Sequence, residues 1–217
     1  MLLDLKKLNA QYNMRLEGVI HIGGFTGEES EVYNDLDIKN VVFFEPIKRH
    51  CEILNNTIKN FNYPYQLIPL ALGNKNQDIE INVSKKSNSG GSGASSSILK
   101  PKVHLKQYPN ITFEHTEMVT MKRLDDLVFK ENIVDINKFN MINIDVQGYE
   151  LEVFKGAKKS LEQINYIIAE VNRAELYEDC AQIEELDKFL FSYDFERLKT
   201  SWDGVTWGDA FYKKKNI

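Results

Sequence analysis

The chain has 217 residues, long enough for one α/β domain with a sizeable core, and no shift in composition forces a second. Its 27 basic and 32 acidic residues give a formal net charge of −5, which offers no overall attraction to nucleic acid or to an anionic membrane. No apolar run approaches a membrane span, and Cys51 and Cys180 fit no CxxC or Cys/His spacing, so a soluble, cytoplasmic protein without structural zinc is expected.

In chain order, residues 1–17 read as an N-terminal helical extension of a domain covering 1–217. Short and mostly continuous apolar runs follow at 19–22, 40–44, 66–72, 139–144 and 166–171, as expected for parallel strands covered on both faces. Helical spacing in Phe154, Ala157, Leu161 and Ile164, and again in Ile183, Leu186 and Leu190, alternates with them as crossover units. Residues 195–201 and 210–214 are rich in strand formers around the turn "WDGVTWGD", which predicts a terminal antiparallel hairpin. The fold class is therefore α/β and Rossmann-like, a mostly parallel seven-stranded sheet closed by a C-terminal hairpin. Residues 84–101, "SKKSNSGGSGASSSILKP", break the rhythm as a flexible Gly/Ser-rich loop, either a linker or a lid.

The first strand runs into "GVIHIGGFTGEES", residues 18–30. A glycine turn there lets a ligand approach backbone N–H groups without meeting a Cβ, and Gly23, Gly24 and Gly27 supply it. The spacing is neither GxGxxG nor a P-loop, and Glu28 and Glu29 would repel a pyrophosphate. S-adenosylmethionine carries a sulfonium and an ammonium and no phosphate, so it suits these acids better. Glu45 ends the second strand 22 residues after Gly23, where a carboxylate can accept hydrogen bonds from both ribose hydroxyls. Pro46 and Ile47 are placed to pack on the adenine.

The run "FNMINIDVQGYELEVFKGAKKSL", residues 139–161, resembles the central signature of the FkbM-type methyltransferases, a strand ending in Asp-x-x-Gly-x-Glu before a helix. "VIHIGGFTGEE", "FFEP", "LIPLALGN", "SSSILKP", "VTMKRLDDL", "IIAEVN" and "WGDAFY" agree with it in order. The resemblance implies an S-adenosylmethionine-dependent O-methyltransferase acting on a hydroxyl of a sugar, glycan or natural product. It implies a cofactor site formed by His21, Gly23, Gly24, Phe25, Gly27, Glu28, Glu45, Pro46, Ala71, Leu72 and Asp145. His21 stands where many relatives have aspartate, which leaves Glu28 or Asp145 to orient the methionine ammonium.

Asp145 closes the fourth strand, beside the first in this topology, and is expected to face the reacting end of the cofactor. Asp145, Glu170 and His104, the last in the polar loop "KPKVHLKQYP", are the candidates to take the acceptor's proton. Asp145, Glu170 and Asn172 form an oxygen-rich set of the kind that holds Mg²⁺ or another divalent ion. Trp202, Trp207 and Tyr177 offer aromatic faces to a sugar ring. The expected partner is a carbohydrate or other small hydroxyl acceptor, with no nucleic acid; the oligomeric state is left open. Two other readings stand beside this one: a catalytically silent module or partner subunit, and an NAD-dependent oxidoreductase.

Overall fold

The computed structural model describes residues 1–86 and 93–215. Helix α1 (Leu5–Tyr12) opens the chain, started by the Asp4 carboxylate accepting from the Lys7 N–H and stopped at Asn13 in the left-handed region. Then come β1 (Gly18–Ile22), α2 (Ser30–Asp35), β2 (Asn40–Phe44), α3 (Lys48–Ile58), β3 (Tyr65–Ile68) and β4 (Ala71–Leu72). A long pair, β5 (Gln77–Lys86) and β6 (Ile111–Lys122), flanks the short α4 (His104–Gln107). The chain continues through α5 (Leu124–Phe129), β7 (Met141–Ile144), α6 (Glu150–Lys155), β8 (Tyr166–Asn172), α7 (Ile183–Phe191), β9 (Phe195–Asp203) and β10 (Trp207–Lys214).

Seven strands form one sheet in the order β3-β2-β1-β7-β8-β10-β9. The first five are parallel, and β10 is antiparallel to both β8 and β9. All five residues of β1 are buried, as are all seven of β8. Alternate side chains of the central strands feed two cores. Ile20, Val42, Ile142 and Ile144 pack with Phe154 and Leu186 from α6 and α7, while Val19, Val41 and Met141 pack with Leu8, Tyr33 and Leu54 from α1, α2 and α3. Apolar side chains on both faces of one strand explain why those runs lack alternation. Among the described residues no helix is long and apolar enough to cross a membrane.

The predicted strand at 66–72 is two strands in two sheets. Pro69 offers no N–H to continue the ladder, so β3 ends at Ile68 and β4 joins a smaller sheet of order β4-β6-β5. That sheet is an addition to the expected fold, although Ile79, Ile81 and Val83 alternate inward with a strand period. The 84–101 stretch is also more structured than a linker. Ser84 to Lys86 belong to β5, and Ser97 forms a bridge with Asn82, with N–H to O distances of 2.8 and 3.1 Å. The middle of that stretch, residues 87–92, lies outside the described residues.

The strand order reverses between β1 and β7: β1 continues to β2 on one side and β7 to β8 on the other. Their carboxyl ends therefore diverge into a crevice, which is where open α/β sheets bind ligands.

Candidate active site

The glycine turn after β1 does something other than leave amides open. The N–H groups of Gly23 and Gly24 both donate to the Phe44 carbonyl, at 2.9 and 3.0 Å, and join the ends of β1 and β2. Gly23 has φ +86°, and a Cβ there would lie 1.9 Å from the Asp145 carbonyl oxygen. A Cβ at Gly24 or Gly27 would meet the Leu54 side chain at 2.8 or 2.7 Å. These glycines let strand ends and α3 close on one another, and the two amides are spent within the protein. That corrects the expectation of a ligand cradle, and it removes the free amides a pyrophosphate would need.

Beside the turn lies a cavity of about 130 Å³. Of the residues expected to hold a cofactor, His21, Gly23, Phe25, Glu28, Glu45, Pro46, Ala71, Leu72 and Asp145 line it, while Gly24 and Gly27 do not. Glu45 is 4% exposed. One of its oxygens accepts from the Phe25 N–H at 2.9 Å, and the other from the Ile47 N–H at 2.9 Å with the His50 ring nitrogen at 3.3 Å. The carboxylate is thereby fixed in one orientation; the oxygen that meets Phe25 keeps a lone pair for a hydroxyl, while the other already faces two nitrogens. Ile47, Ala71, Leu72 and Ile81 give the neighbouring wall an apolar surface.

The opposite wall is acidic. Glu28, Glu29, Asp145 and Asp209 all line it. The Met1 ammonium rests on Glu29 at 3.1 Å, and the Asp209 carboxylate accepts from the Leu2 and Leu3 N–H groups. Burial, with the Asp145 charge nearby, pushes Asp209 up to about 6. His21 is buried between this wall and Tyr33, whose hydroxyl lies 3.1 Å from Nδ1 and accepts from Asn143 at 2.7 Å. Desolvation lowers its pKa despite Glu29 3.9 Å from Nε2, so the ring is neutral at pH 7 and an acid's role falls to its neighbours.

A second cavity, about 220 Å³, adjoins the first and shares Ala94, Asp145 and Gln147 with it. His104, Tyr108, Trp207, Asp203, Glu170 and Ser95 are among its other walls. His104 departs from its reading as a loop residue: it starts α4, is 2% exposed, and packs against the rings of Tyr108, Phe113 and Tyr177 at 5.0 to 5.4 Å between centroids. Its Nδ1 has no hydrogen-bond partner, and burial lowers its pKa, so it presents a neutral imidazole. Trp207 lies in the wall with Nε1 donating to the Tyr108 hydroxyl at 2.7 Å. Trp202 is covered by the Arg173 guanidinium 3.5 Å from its ring, and Tyr177 is fully buried, so of the three aromatic residues Trp207 alone lines this cavity.

At the divide, ligand atoms of Asp145, Glu150 and Glu170 lie within 4.8 Å of one another. Glu150 joins Asp145 and Glu170 in this group, and Asn172, the other residue of the expected trio, is buried with neither side-chain polar atom hydrogen-bonded. Glu150 Oε1 accepts from the Val146 and Gly148 N–H groups at 2.9 and 3.2 Å, which explains the Asp-x-x-Gly-x-Glu spacing as a turn clamped by its own last residue. Gly148 has φ +97°, a conformation that favours glycine. Burial, opposed by those donors and aided by the Asp145 charge, raises Glu150 to about 7. Glu170 is pushed well above the usual carboxylate range, first by burial and then by the Asp145 and Glu150 charges.

Sequence reasoning left out Gln147, Glu29 and Asp209 as site residues. Glu29 stood in view beside Glu28, Asp209 within "WGDAFY", and Gln147 inside the central signature, but spacing alone does not say where a turn side chain points.

A family profile described as "Methyltransferase FkbM domain" matches residues 21–197. A 2-O-methyltransferase, NoeI, from Sinorhizobium fredii is 28% identical over 181 residues, covering 81% of this chain and 72% of that protein. Among solved structures, magnesium protoporphyrin IX methyltransferase from Synechocystis PCC 6803 with bound SAM superposes with a TM-score of 0.53 at 10% identity, over 97% of this chain and 76% of that one. The N-methyltransferase NodS from Bradyrhizobium japonicum, in complex with S-adenosylhomocysteine, gives 0.51 at 8%, over 98% and 85%. At such identities the solved structures bear on the fold, which they place among methyltransferases, and the sequence match carries the rest: this chain belongs to the FkbM methyltransferase family.

Proposed function

We propose that the protein transfers a methyl group from S-adenosylmethionine to a hydroxyl of a sugar, glycan or related natural product. The observation that carries this reading is the pair of adjoining cavities with Asp145 in the shared wall. The residues of the first cavity suit the donor. Glu45 keeps an open lone pair for a ribose hydroxyl on the oxygen beside Phe25, Ile47, Ala71 and Leu72 suit an adenine face, and Glu28, Glu29 and Asp209 suit an ammonium. The likeness to NoeI, a 2-O-methyltransferase, supports an oxygen acceptor.

When bound, S-adenosylmethionine supplies an activated methyl group: its carbon–sulfur bond breaks as the carbon–oxygen bond to the acceptor forms. Asp145 reaches both cavities and takes the hydroxyl proton as that bond forms. Glu170, the more buried of the pair, lines the second cavity only and is held by the Gln147 amide. His104 stands in the wall of the second cavity with its ring packed on Tyr108, Phe113 and Tyr177, and so shapes the space for the acceptor. Trp207 offers a face to the ring in the same cavity. We assign no divalent ion to the acid cluster: the two N–H groups of the Gln147 amide donate to Asp145 and Glu170, at 2.7 and 2.6 Å, and present a positive edge to both acids without one.

The test is a screen of free sugars, methyl glycosides and lipid-linked or polyphenolic alcohols with methyl-labelled S-adenosylmethionine, run with Mg²⁺ and with EDTA. Label in an O-methyl product that is indifferent to EDTA is the expected result. Binding of S-adenosylhomocysteine without labelling of any acceptor favours the silent module, and EDTA-sensitive labelling overturns the metal-free assignment.

A further inference from the structure

Gln147 has a backbone conformation that a glutamine adopts only when held there. Its φ is +57°, followed by Gly148 at +97°. For a residue with a Cβ this region is uncommon, and such positions persist where the surroundings over-determine them. Here they do. Ser97 Oγ donates to the Gln147 carbonyl at 2.7 Å, and Glu150 clamps the amides on either side, Val146 and Gly148. The turn swings the glutamine side chain back over the ends of β7 and β8.

The side chain is used at both ends. Nε2 donates to Asp145 Oδ1 at 2.7 Å and to Glu170 Oε2 at 2.6 Å, and Oε1 accepts from the Tyr177 hydroxyl at 2.8 Å. Reversing the amide would set its carbonyl oxygen against two carboxyl oxygens, so the chemistry of the partners selects this orientation. Tyr177 is itself buried, contacts His104 and also lies 2.9 Å from the Ser95 carbonyl. One amide therefore spans the two acids and is anchored by a tyrosine that also meets the segment roofing the second cavity.

We propose that Gln147 is a positioning residue for the transfer. It holds Asp145 by one carboxylate oxygen, leaves the other for the acceptor hydroxyl, and fixes the Asp145–Glu170 spacing through its two N–H bonds. The inference rests on the methyl-transfer reading for its purpose, but not for its geometry. Without the amide nothing holds the Asp145 carboxylate in this orientation, and Asp145, the exposed member of the pair, turns toward solvent. An error of about 1 Å in a group that meets the reacting atoms lowers turnover by on the order of 10²-fold.

The geometry is tested first in the protein alone, from the side-chain amide signal of Gln147 in a ¹⁵N correlation spectrum, assigned by its loss in Gln147→Ala. Two protons shifted downfield and protected from exchange are expected, because each faces a carboxyl oxygen. A pair at the ordinary solvent-exposed position overturns the proposal.

The second readout compares Gln147→Ala and the near-isosteric Gln147→Glu with wild type, each shown to be folded by circular dichroism. With the acceptor found in the screen, kcat falls by about 10²-fold in both, while acceptor KM and S-adenosylhomocysteine affinity stay within about threefold. A kcat near wild type in either variant contradicts the inference. Failure of wild type to bind S-adenosylhomocysteine would instead contradict the methyl-transfer reading, and the amide spectrum would still decide the geometry.

Discussion

Glu45 and Glu170 are both glutamates at strand ends of one sheet, 4% and 3% exposed, yet they are held in opposite ways. Glu45 stands among donors: two backbone N–H groups meet its two oxygens, and the His50 ring is beside one of them. Glu170 stands among acids, with a single amide donor from Gln147 and with Asp145 and Glu150 close by. Depth alone does not decide what a buried carboxyl can do. Donors hold Glu45 in one orientation, whereas crowding by acids pushes the Glu170 carboxyl well above the usual carboxylate range.

The sharpest way to break this contrast is at the divide. Asp145→Ala is expected to lower turnover by about 10³-fold, within the range a proton acceptor contributes, and to leave S-adenosylhomocysteine affinity within about threefold. Near-normal turnover would move the proton to another group. His104→Phe keeps the aromatic packing, so kcat/KM is expected to stay within about threefold of wild type. A loss of tenfold or more would give the imidazole a contact with the acceptor.

A smaller effect tests the crowding itself. Glu150 rises from 4.5 in the unfolded chain to about 7 in the fold, so its contribution to stability is full below pH 4.5 and is lost as pH rises to 7. Glu150→Gln keeps an acceptor oxygen for Val146 and Gly148 and cannot ionise. Thermal melts of the two proteins at pH 4.5 and 7.5 are therefore expected to show a smaller fall in Tm for the variant. Parallel falls would mean that Glu150 is not a crowded acid.

How much of this was legible in the sequence differs between elements. The parallel strands and the hairpin could be read because burial on both faces leaves continuous apolar runs, and "WDGVTWGD" is a turn between strand formers. Glu45 and Asp145 could be placed because strand ends beside a reversal of strand order point into one crevice. The β5–β6 sheet was missed although its alternation was present, since the polar stretch between its strands looked like a linker. His104 was misread because its aromatic neighbours Phe113 and Tyr177 come from distant parts of the chain. Gln147 could not be read at all: its use depends on a positive φ, and on the hydroxyls of Ser97 and Tyr177, 50 and 30 residues away.

The most direct measurement is a calorimetric titration of wild type and Glu45→Ala with S-adenosylhomocysteine, with NAD beside it. Binding by wild type, about 10²-fold weaker in Glu45→Ala from the loss of a charge-assisted hydrogen bond, and none to NAD, is the predicted result. No binding of S-adenosylhomocysteine to wild type, or binding indifferent to Glu45, would contradict the donor site on which the rest depends.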